Sequence, residues 1–172
     1  MPTLKDVAAE FINGRPNDNI GITLFAGETF TQCPLTVDHA VLLDMIHNIK
    51  CGLITDGTAV GMGIANAVTR LKDSKAKSKV IILLTDGTNN KGDISPMTAA
   101  EIAKSFGIRV YTIGVGTNGM APYPYPVGNT VQYVSMPVEI DEKTLTEIAG
   151  TTDGNYFRAT SNSKLKEVYE EI

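Results

Sequence analysis

The stretch Lys79–Asn90, KVIILLTDGTNN, decides the fold of this chain. An apolar, β-rich run from Val80 to Leu84 ends in Thr-Asp-Gly and is followed by polar residues. Strands of a parallel sheet have this pattern, because other elements cover both of their faces. Since open α/β sheets place their ligand sites at the carboxyl ends of the strands, the Asp86 carboxylate is predicted to lie at such a site.

On both sides of this stretch, segments of helical periodicity alternate with short β-rich segments. Alternation of this kind predicts an α/β sandwich: a mostly parallel sheet with helices on both faces and one antiparallel edge strand. No repeat or linker is evident, so residues 1–172 are predicted to form a single domain. The predicted elements include a first helix ending at Asn13, a hairpin of Ile20–Ala26 with Thr29–Gln32, helices capped by Asp38, Ser95 and Asp141, a helix from Thr58 to about Leu71, a parallel strand Arg109–Val115, and a long loop Thr117–Pro137.

Composition narrows the range of functions. The chain has 172 residues, 42% of them hydrophobic and 20% charged, with a net charge of −4. A pI near 5.1 argues against nucleic-acid binding driven by bulk charge. No apolar run approaches the ~20 residues that span a bilayer. Cys33 and Cys51 flank a predicted helix, which would hold them too far apart for a disulfide, so free thiols are expected.

Several motifs resemble catalytic or nucleotide-binding motifs, but the sequence around each of them lacks the features that the activity requires. Gly114–Gly119 matches the dinucleotide fingerprint GxGxxG, but a proline-rich segment follows it instead of the required helix. The segment after Asp86 lacks the Lys-Ser/Thr pair of a phosphate-binding loop. Aspartate-nucleophile phosphatases need a second carboxylate two residues earlier, where this chain has Leu84. His39 and His47 have no acidic partner at metal-ligand spacing.

Two predicted loops do converge on one site. Thr58 opens a predicted helix, and Asp86 ends the neighbouring strand at the same edge of the sheet. A hydroxyl and a carboxylate together favour a hard cation such as Mg²⁺, held partly through water. The alternative is that Thr58 only caps its helix and Asp86 only caps a turn. The residue types alone leave both interpretations open.

In the order of these motifs and predicted elements, the chain resembles a von Willebrand factor A (VWA) domain. More narrowly, it is similar to the aerotolerance-operon (Bat-type) membrane-anchored VWA proteins of bacteria. The resemblance is carried by the segments DNIGITLFAG, DGTAVGMGIANAVTRL, KVIILLTDG, GIRVYTIGVG and GNYFRAT, together with shorter pieces that run through almost the whole chain.

The resemblance implies a metal-ion-dependent adhesion site (MIDAS) for Mg²⁺, or for Mn²⁺ or Ca²⁺, with Thr58 and Asp86 as ligands. An acidic side chain of a protein partner would complete the coordination of the ion. The surrounding loops would form a rim that faces this partner. The rim residues implied are Gly57, Gly87, Asn89, Asn90, Lys91, Tyr123 and Tyr125.

The sequence departs from the family pattern at its start. The family begins with a central strand ending in Asp-x-Ser-x-Ser, whereas this chain begins at MPTLKDVAAEF, within the predicted first helix. The chain is therefore expected to be N-terminally incomplete, with weak or absent metal binding. The absent strand would lie between Ile20–Ala26 and Lys79–Leu84. Either these two strands pair directly, or self-association fills the gap between them.

The function predicted on this basis is a non-enzymatic protein-protein interaction module. The alternative is a phosphatase-like or nucleotide-using α/β enzyme that acts at Asp86. The resemblance also implies that the whole protein is anchored in the bacterial cell membrane with this domain in the periplasm, while this chain itself is soluble and spans no membrane.

Overall fold

The computed structural model describes residues 4–49, 57–86, 89–115, 119–127, 130–138, 140–160 and 162–172. Helices and strands alternate along most of this chain, as the sequence predicts. The elements in chain order are α1 (Leu4–Asn13), β1 (Ile20–Phe25), β2 (Thr29–Thr36), α2 (His39–His47), α3 (Val60–Leu71), β3 (Lys79–Thr85), α4 (Pro96–Ser105), β4 (Ile108–Val115), β5 (Gly119–Val127), β6 (Thr130–Val138), α5 (Glu142–Thr151), β7 (Tyr156–Ala159) and α6 (Asn162–Glu171).

A parallel sheet of order β3-β4-β7 forms the centre of the fold. Strand β3 pairs with β4 from Lys79 opposite Ile108 to Thr85 opposite Gly114, without a register shift. Parallel strands need crossover connections, and α4 and α5 supply them here. The apolar run that opens the sequence argument is therefore a strand of the parallel sheet, as predicted.

Helices cover both faces of this sheet because β3 presents apolar side chains to each. Ile81 and Leu83 belong to a core cluster with the buried residues of α3, α4 and α5. Ile82 and Leu84, which alternate with them, pack against a second cluster that includes Tyr169 of α6. The predicted α/β sandwich with helices on both faces is confirmed.

The antiparallel edge is the hairpin of β1 and β2, which starts at Phe25 opposite Thr29 and contains register shifts near Ile22. Pro34 of β2 is exposed, consistent with an edge strand. Cys33 of β2 is buried and free. Cys51 lies outside the described residues.

The sheet is divided, and this corrects one prediction. Among the described residues β1 pairs only with β2, and β3 pairs with β4, so β1 and β3 do not pair directly. Both nevertheless pack on α3, and Phe25 of β1 joins the core cluster that contains Ile81 and Leu83. Direct pairing is wrong because the two strands share a supporting helix without approaching to hydrogen-bonding distance.

The segment predicted as the loop Thr117–Pro137 is also different in the structure. Residues 119–127 and 130–138 form an antiparallel hairpin, from Gly119 opposite Val138 to Val127 opposite Thr130. The sequence prediction missed it because prolines normally argue against strands. Three of its prolines occupy alternate positions of β5 and the fourth, Pro137 of β6, lies in the same alternation opposite Met120, which an antiparallel ladder can accept.

Local chemistry correctly predicts three helix starts. The side chains of Asp38, Ser95 and Asp141 each accept a hydrogen bond from a backbone N–H in the first turn of α2, α4 and α5. Helix α3, in contrast, begins at Val60 and not at Thr58, and its N-cap residue Ala59 has no side chain that could cap it.

Candidate functional site

Three segments meet at the carboxyl end of the sheet, and we refer to them as the carboxyl rim: residues 26–28 after β1, residues 57–59 before α3, and residues 86 and 89–92 after β3. The backbone N–H of Ala59 donates a 2.7 Å hydrogen bond to the carbonyl of Ala26. The N–H groups of Asn90 and Lys91 donate to the carbonyl of Thr58 at 3.0 and 3.3 Å. The start of α3 is thus tied to the loops that follow both neighbouring strands.

Two asparagine side chains strengthen this connection. The amide oxygen of Asn90 accepts a 2.9 Å hydrogen bond from the backbone N–H of Thr58. The amide oxygen of Asn89 accepts one of 2.9 Å from the N–H of Val60, the first residue of α3. Because Ala59 cannot cap the helix itself, Asn89 caps it from another loop. Sequence analysis assigned both asparagines to the rim but missed this structural role.

Gly57 allows the close approach of these loops. Its φ of +141° lies in the region that side-chain-bearing residues avoid. A Cβ at this position would lie 2.5 Å from Cγ of Lys91 and 3.1 Å from the Cα of Gly27. The backbone at Gly57 therefore touches the other two segments of the carboxyl rim.

The two predicted metal ligands lie at this same end of the sheet. Asp86 directly follows β3 and is exposed, and Thr58 is partly buried and hydrogen-bonded through its backbone to the loop that continues from β3. Within the described residues, neither the Thr58 hydroxyl nor the Asp86 carboxylate forms a hydrogen bond or ion pair. The alternative that Thr58 caps its helix is wrong, because Ala59 occupies the N-cap position. The turn that Asp86 would cap involves residues 87 and 88, which lie outside the described residues.

The other predicted rim residues belong to separate segments of the chain. Lys91 is exposed on the carboxyl rim, so its ammonium group and the Asp86 carboxylate give this surface charges of both signs. Gly87 lies outside the described residues. Tyr123 and Tyr125 belong to β5, whose described contacts are mainly with β6.

The oxygen donors at the carboxyl rim are of the chemical type that binds a hard divalent cation. Hydroxyl and carboxylate oxygens are the ligands that Mg²⁺ prefers. Their number is small, since the described residues contain no group of three or more His, Cys, Asp or Glu side chains that could hold a metal ion. Thr58 and Asp86 alone would leave most positions of an octahedral ion to water or to other oxygen donors.

Comparison with known proteins identifies the family. Residues 1–171 match the von Willebrand factor type A domain family. The chain belongs to the VWA family. The resemblance argued from the sequence is therefore confirmed. Members of this family generally act as protein-interaction modules, some with a MIDAS, and are generally non-enzymatic.

Solved structures of Bat-type proteins resemble this VWA domain over nearly its whole length. BatB from Bacteroides thetaiotaomicron has 32% sequence identity and a TM-score of 0.83, covering 97% of this chain and 83% of that chain. An aerotolerance-related membrane protein from Bacteroides fragilis has 29% identity and the same TM-score of 0.83, covering 97% of this chain and 84% of that chain. The similarity to Bat-type proteins proposed from the sequence is thereby confirmed.

A mussel byssus protein, proximal thread matrix protein 1, was solved with a zinc-occupied MIDAS motif. It has 24% identity and a TM-score of 0.73, and it covers 98% of this chain and 38% of that chain. At this identity the likeness shows the fold alone.

Among sequence relatives, a UPF0353 protein from Nocardia farcinica is 30% identical over 190 residues, covering 100% of this chain and 55% of its own length. An uncharacterized protein from Borreliella burgdorferi is 29% identical over 154 residues, covering 89% of this chain and 45% of its own length. The VWA domain thus spans about half the length of the relatives it matches. Among its described residues, no helix is both long and apolar enough to cross a membrane.

Proposed function

We propose that this VWA domain is a non-catalytic interaction module that binds an acidic side chain of a partner protein at the carboxyl rim. A divalent cation, Mg²⁺ or alternatively Mn²⁺ or Ca²⁺, would be held there by the Thr58 hydroxyl and the Asp86 carboxylate. The bound cation would supply a positive centre for the partner's carboxylate. Remaining positions would be filled by water, the partner and any further oxygen ligands of the whole protein.

The observation that carries this proposal is the pair of hydrogen bonds between Thr58 and Asn90. They join the start of α3 to the loop that follows Asp86, so two oxygen donors from distant parts of the chain share one end of the sheet. Among the described residues, no hydrogen-bond partner of either side chain competes with an ion. Lys91 on the same rim adds a second positive group that an acidic partner would favour.

The test is Mn²⁺-induced broadening of amide resonances in an NMR spectrum of the labelled domain. Because a paramagnetic ion broadens nearby signals most, we expect broadening centred on Thr58, Asp86 and Asn90. EDTA should reverse it, and Asp86→Asn should abolish it. The matched control is Asp73→Asn, which removes the same charge at an exposed position after α3, far from the carboxyl rim. Broadening that survives Asp86→Asn, or that centres elsewhere, would contradict the proposal.

The enzymatic alternative makes a different prediction. A phosphatase-like or nucleotide-using enzyme acting at Asp86 would turn over phosphoesters, and Asp86→Ala would abolish this turnover while leaving the fold intact. Our proposal predicts no turnover by either protein. Sustained hydrolysis of a generic phosphomonoester by the unmodified domain would overturn it.

We further propose that the whole protein acts at the bacterial cell membrane with this domain on the periplasmic side. Support comes from the Bacteroides fragilis relative, which is described as an aerotolerance-related membrane protein. Protease accessibility of the domain in spheroplasts of a producing bacterium is the direct measurement. Protection in intact spheroplasts, with digestion only after lysis, would contradict the periplasmic assignment.

Self-association through the gap between β1 and β3 is also part of this proposal. Each strand has one edge without a partner among the described strands, and unpaired edges favour pairing with another chain. If the gap is filled in this way, amide hydrogen exchange in β1 and β3 should slow as protein concentration rises. Exchange that is independent of concentration in both strands would exclude it.

A further inference from the structure

We call the hairpin of β5 and β6 the hairpin arm. Its two strands contact each other and have at most marginal contact with other described helices and strands. Tyr133 is 72% exposed and Val134 is 47% exposed. Since successive residues of a strand point to opposite faces, exposure of both means that both faces of β6 are open to solvent here. An isolated two-stranded hairpin is only marginally stable in water.

Prolines close the outer edge of β5. Pro122, Pro124 and Pro126 occupy alternate positions, opposite Ser135, Tyr133 and Val131 of β6. In an antiparallel ladder, pairs that exchange backbone hydrogen bonds alternate with pairs that do not. Proline has no N–H, so the proline pairs take the second kind of position, where backbone groups point away from the partner strand. The outer edge of β5 therefore lacks three successive N–H donors.

The same register leaves the outer edge of β6 open. Tyr133 and Ser135 lie opposite prolines, so their own N–H and C=O groups point outward, away from β5. Unlike the prolines, both residues have an N–H to donate. The outer edge of β6 thus keeps N–H donors at Val131, Tyr133 and Ser135 and lacks one at Pro137, opposite Met120, whereas the outer edge of β5 lacks three in succession.

The arm also lacks the charges that normally protect an edge strand. Residues 119–138 contain no Asp, Glu, Lys or Arg, although 20% of the chain is charged. Edge strands of soluble proteins commonly have charged residues that prevent pairing with another chain. An uncharged edge can approach an identical edge without repulsion between like charges.

We propose that the open edge of β6 pairs with β6 of a second copy of this chain. Antiparallel pairing about a two-fold axis is self-complementary, and it would place Tyr133 opposite Tyr133 of the second copy, with Ser135 opposite Val131. The product is a four-stranded sheet whose two outer edges are both proline-bearing β5 strands. Because those edges cannot extend the ladder, association through the hairpin arm stops at two copies. This inference is independent of the metal site.

Sedimentation velocity across a concentration series tests the dimer. We expect the unmodified chain to associate, and Tyr133→Lys to associate at least about tenfold more weakly because two lysines would face each other on the axis. Tyr133→Glu should be weakened for the same reason, and an equimolar mixture of the two variants should recover the association. The matched control is Gln132→Lys, which adds the same charge at a neighbouring position that faces Val134 of the second copy and should remain dimeric.

Ser135→Pro is an independent test, because it removes an outward-pointing N–H without adding charge. It should raise the dimer dissociation constant at least about tenfold. Circular dichroism checks that each variant remains folded. An unmodified chain that stays monomeric at the highest attainable concentration, or association that is equally strong in Tyr133→Lys, would overturn the proposal. Concentration-dependent protection at Tyr133 and Ser135, and not in β1 and β3, separates this interface from the gap.

Discussion

Thr58 and Asn90 form a reciprocal pair of hydrogen bonds across the carboxyl rim. The Thr58 N–H donates to the side-chain oxygen of Asn90 at 2.9 Å, and the Asn90 N–H donates to the Thr58 carbonyl at 3.0 Å. The two residues are 32 positions apart in the chain. This pair fixes the start of α3 against the loop after β3, and the candidate metal site depends on it.

The first prediction concerns the asparagines of the rim. Asn89→Ala and Asn90→Ala should each lower the free energy of unfolding by about 1 kcal/mol, because each leaves a backbone N–H without its acceptor. Asn90→Asp keeps an acceptor oxygen and should cost less than Asn90→Ala. Urea denaturation measures the effect, with Asn19→Ala at an exposed loop position as the control. Equal stability of Asn90→Ala and the unmodified domain would contradict the assigned role.

The second prediction concerns Gly57. Gly57→Ala should lower the free energy of unfolding by about 1–3 kcal/mol, because its φ of +141° is strained for any side chain and the new methyl would meet Gly27 and Lys91. Gly150→Ala is the matched control, since a Cβ there would meet nothing within 4 Å. Within helix α5 this replacement should stabilise the domain by about 0.5–1 kcal/mol. Effects of the same sign in both variants would be inconsistent with this explanation.

The third prediction concerns metal affinity. Because the proposed site draws on two side chains, Thr58 and Asp86, this chain alone should bind Mg²⁺ weakly. Thr58→Ala and Asp86→Asn should each remove the remaining heat of binding. Isothermal titration calorimetry provides the measurement. Micromolar affinity for Mg²⁺ would mean that further ligands are already in place.

The fourth prediction concerns stability at alkaline pH. Burial raises the pKa of the Tyr169 hydroxyl well above its ordinary value of 10.0. Above that value the unfolded chain loses this proton while the folded domain keeps it, so the unfolded state binds fewer protons. The stabilisation is therefore complete below pH 10 and declines as the pH rises further.

Tyr169→Phe should flatten this alkaline decline, because phenylalanine keeps the ring contact with Phe11, at 4.5 Å between centroids, but cannot ionise. Denaturation curves of both proteins on either side of pH 10 give the comparison. Parallel loss of stability in the two proteins would show that other groups cause the decline.

Much of the fold could be predicted from local sequence. The caps at Asp38, Ser95 and Asp141 act on N–H groups only three residues away, so each is readable from its own helix. The buried strand β3 is equally readable, because covering both faces leaves a continuous apolar run. The start of helix α3 was predicted two residues too early, because Asn89 caps the helix from another loop. A contact of this kind leaves no pattern in the sequence of the helix itself.

The hairpin arm illustrates a second limit of predicting structure from the sequence. Its prolines made β5 resemble a loop, because proline is rare in strands. Proline is excluded, however, only at strand positions whose N–H must donate a hydrogen bond to a neighbouring strand. Whether an N–H is needed depends on which residue of β6 lies opposite, and that register is a property of the pair. The same reasoning applies to the open edges of β1 and β3. They depend on how the β1–β2 hairpin and the β3-β4-β7 sheet each pack against α3.

The sequence by itself determined the alternation of helices and strands, the buried character of β3, and the family resemblance with Thr58 and Asp86 as candidate ligands. These features depend on side-chain periodicity and on residues close together in the chain. Tertiary structure alone decided that Asn89 and Asn90 tie α3 to the next loop, that the sheet is divided, and that one edge of the hairpin arm is open. The first two depend on partners far apart in sequence, and the third depends on the register between two strands; side-chain periodicity fixes none of them.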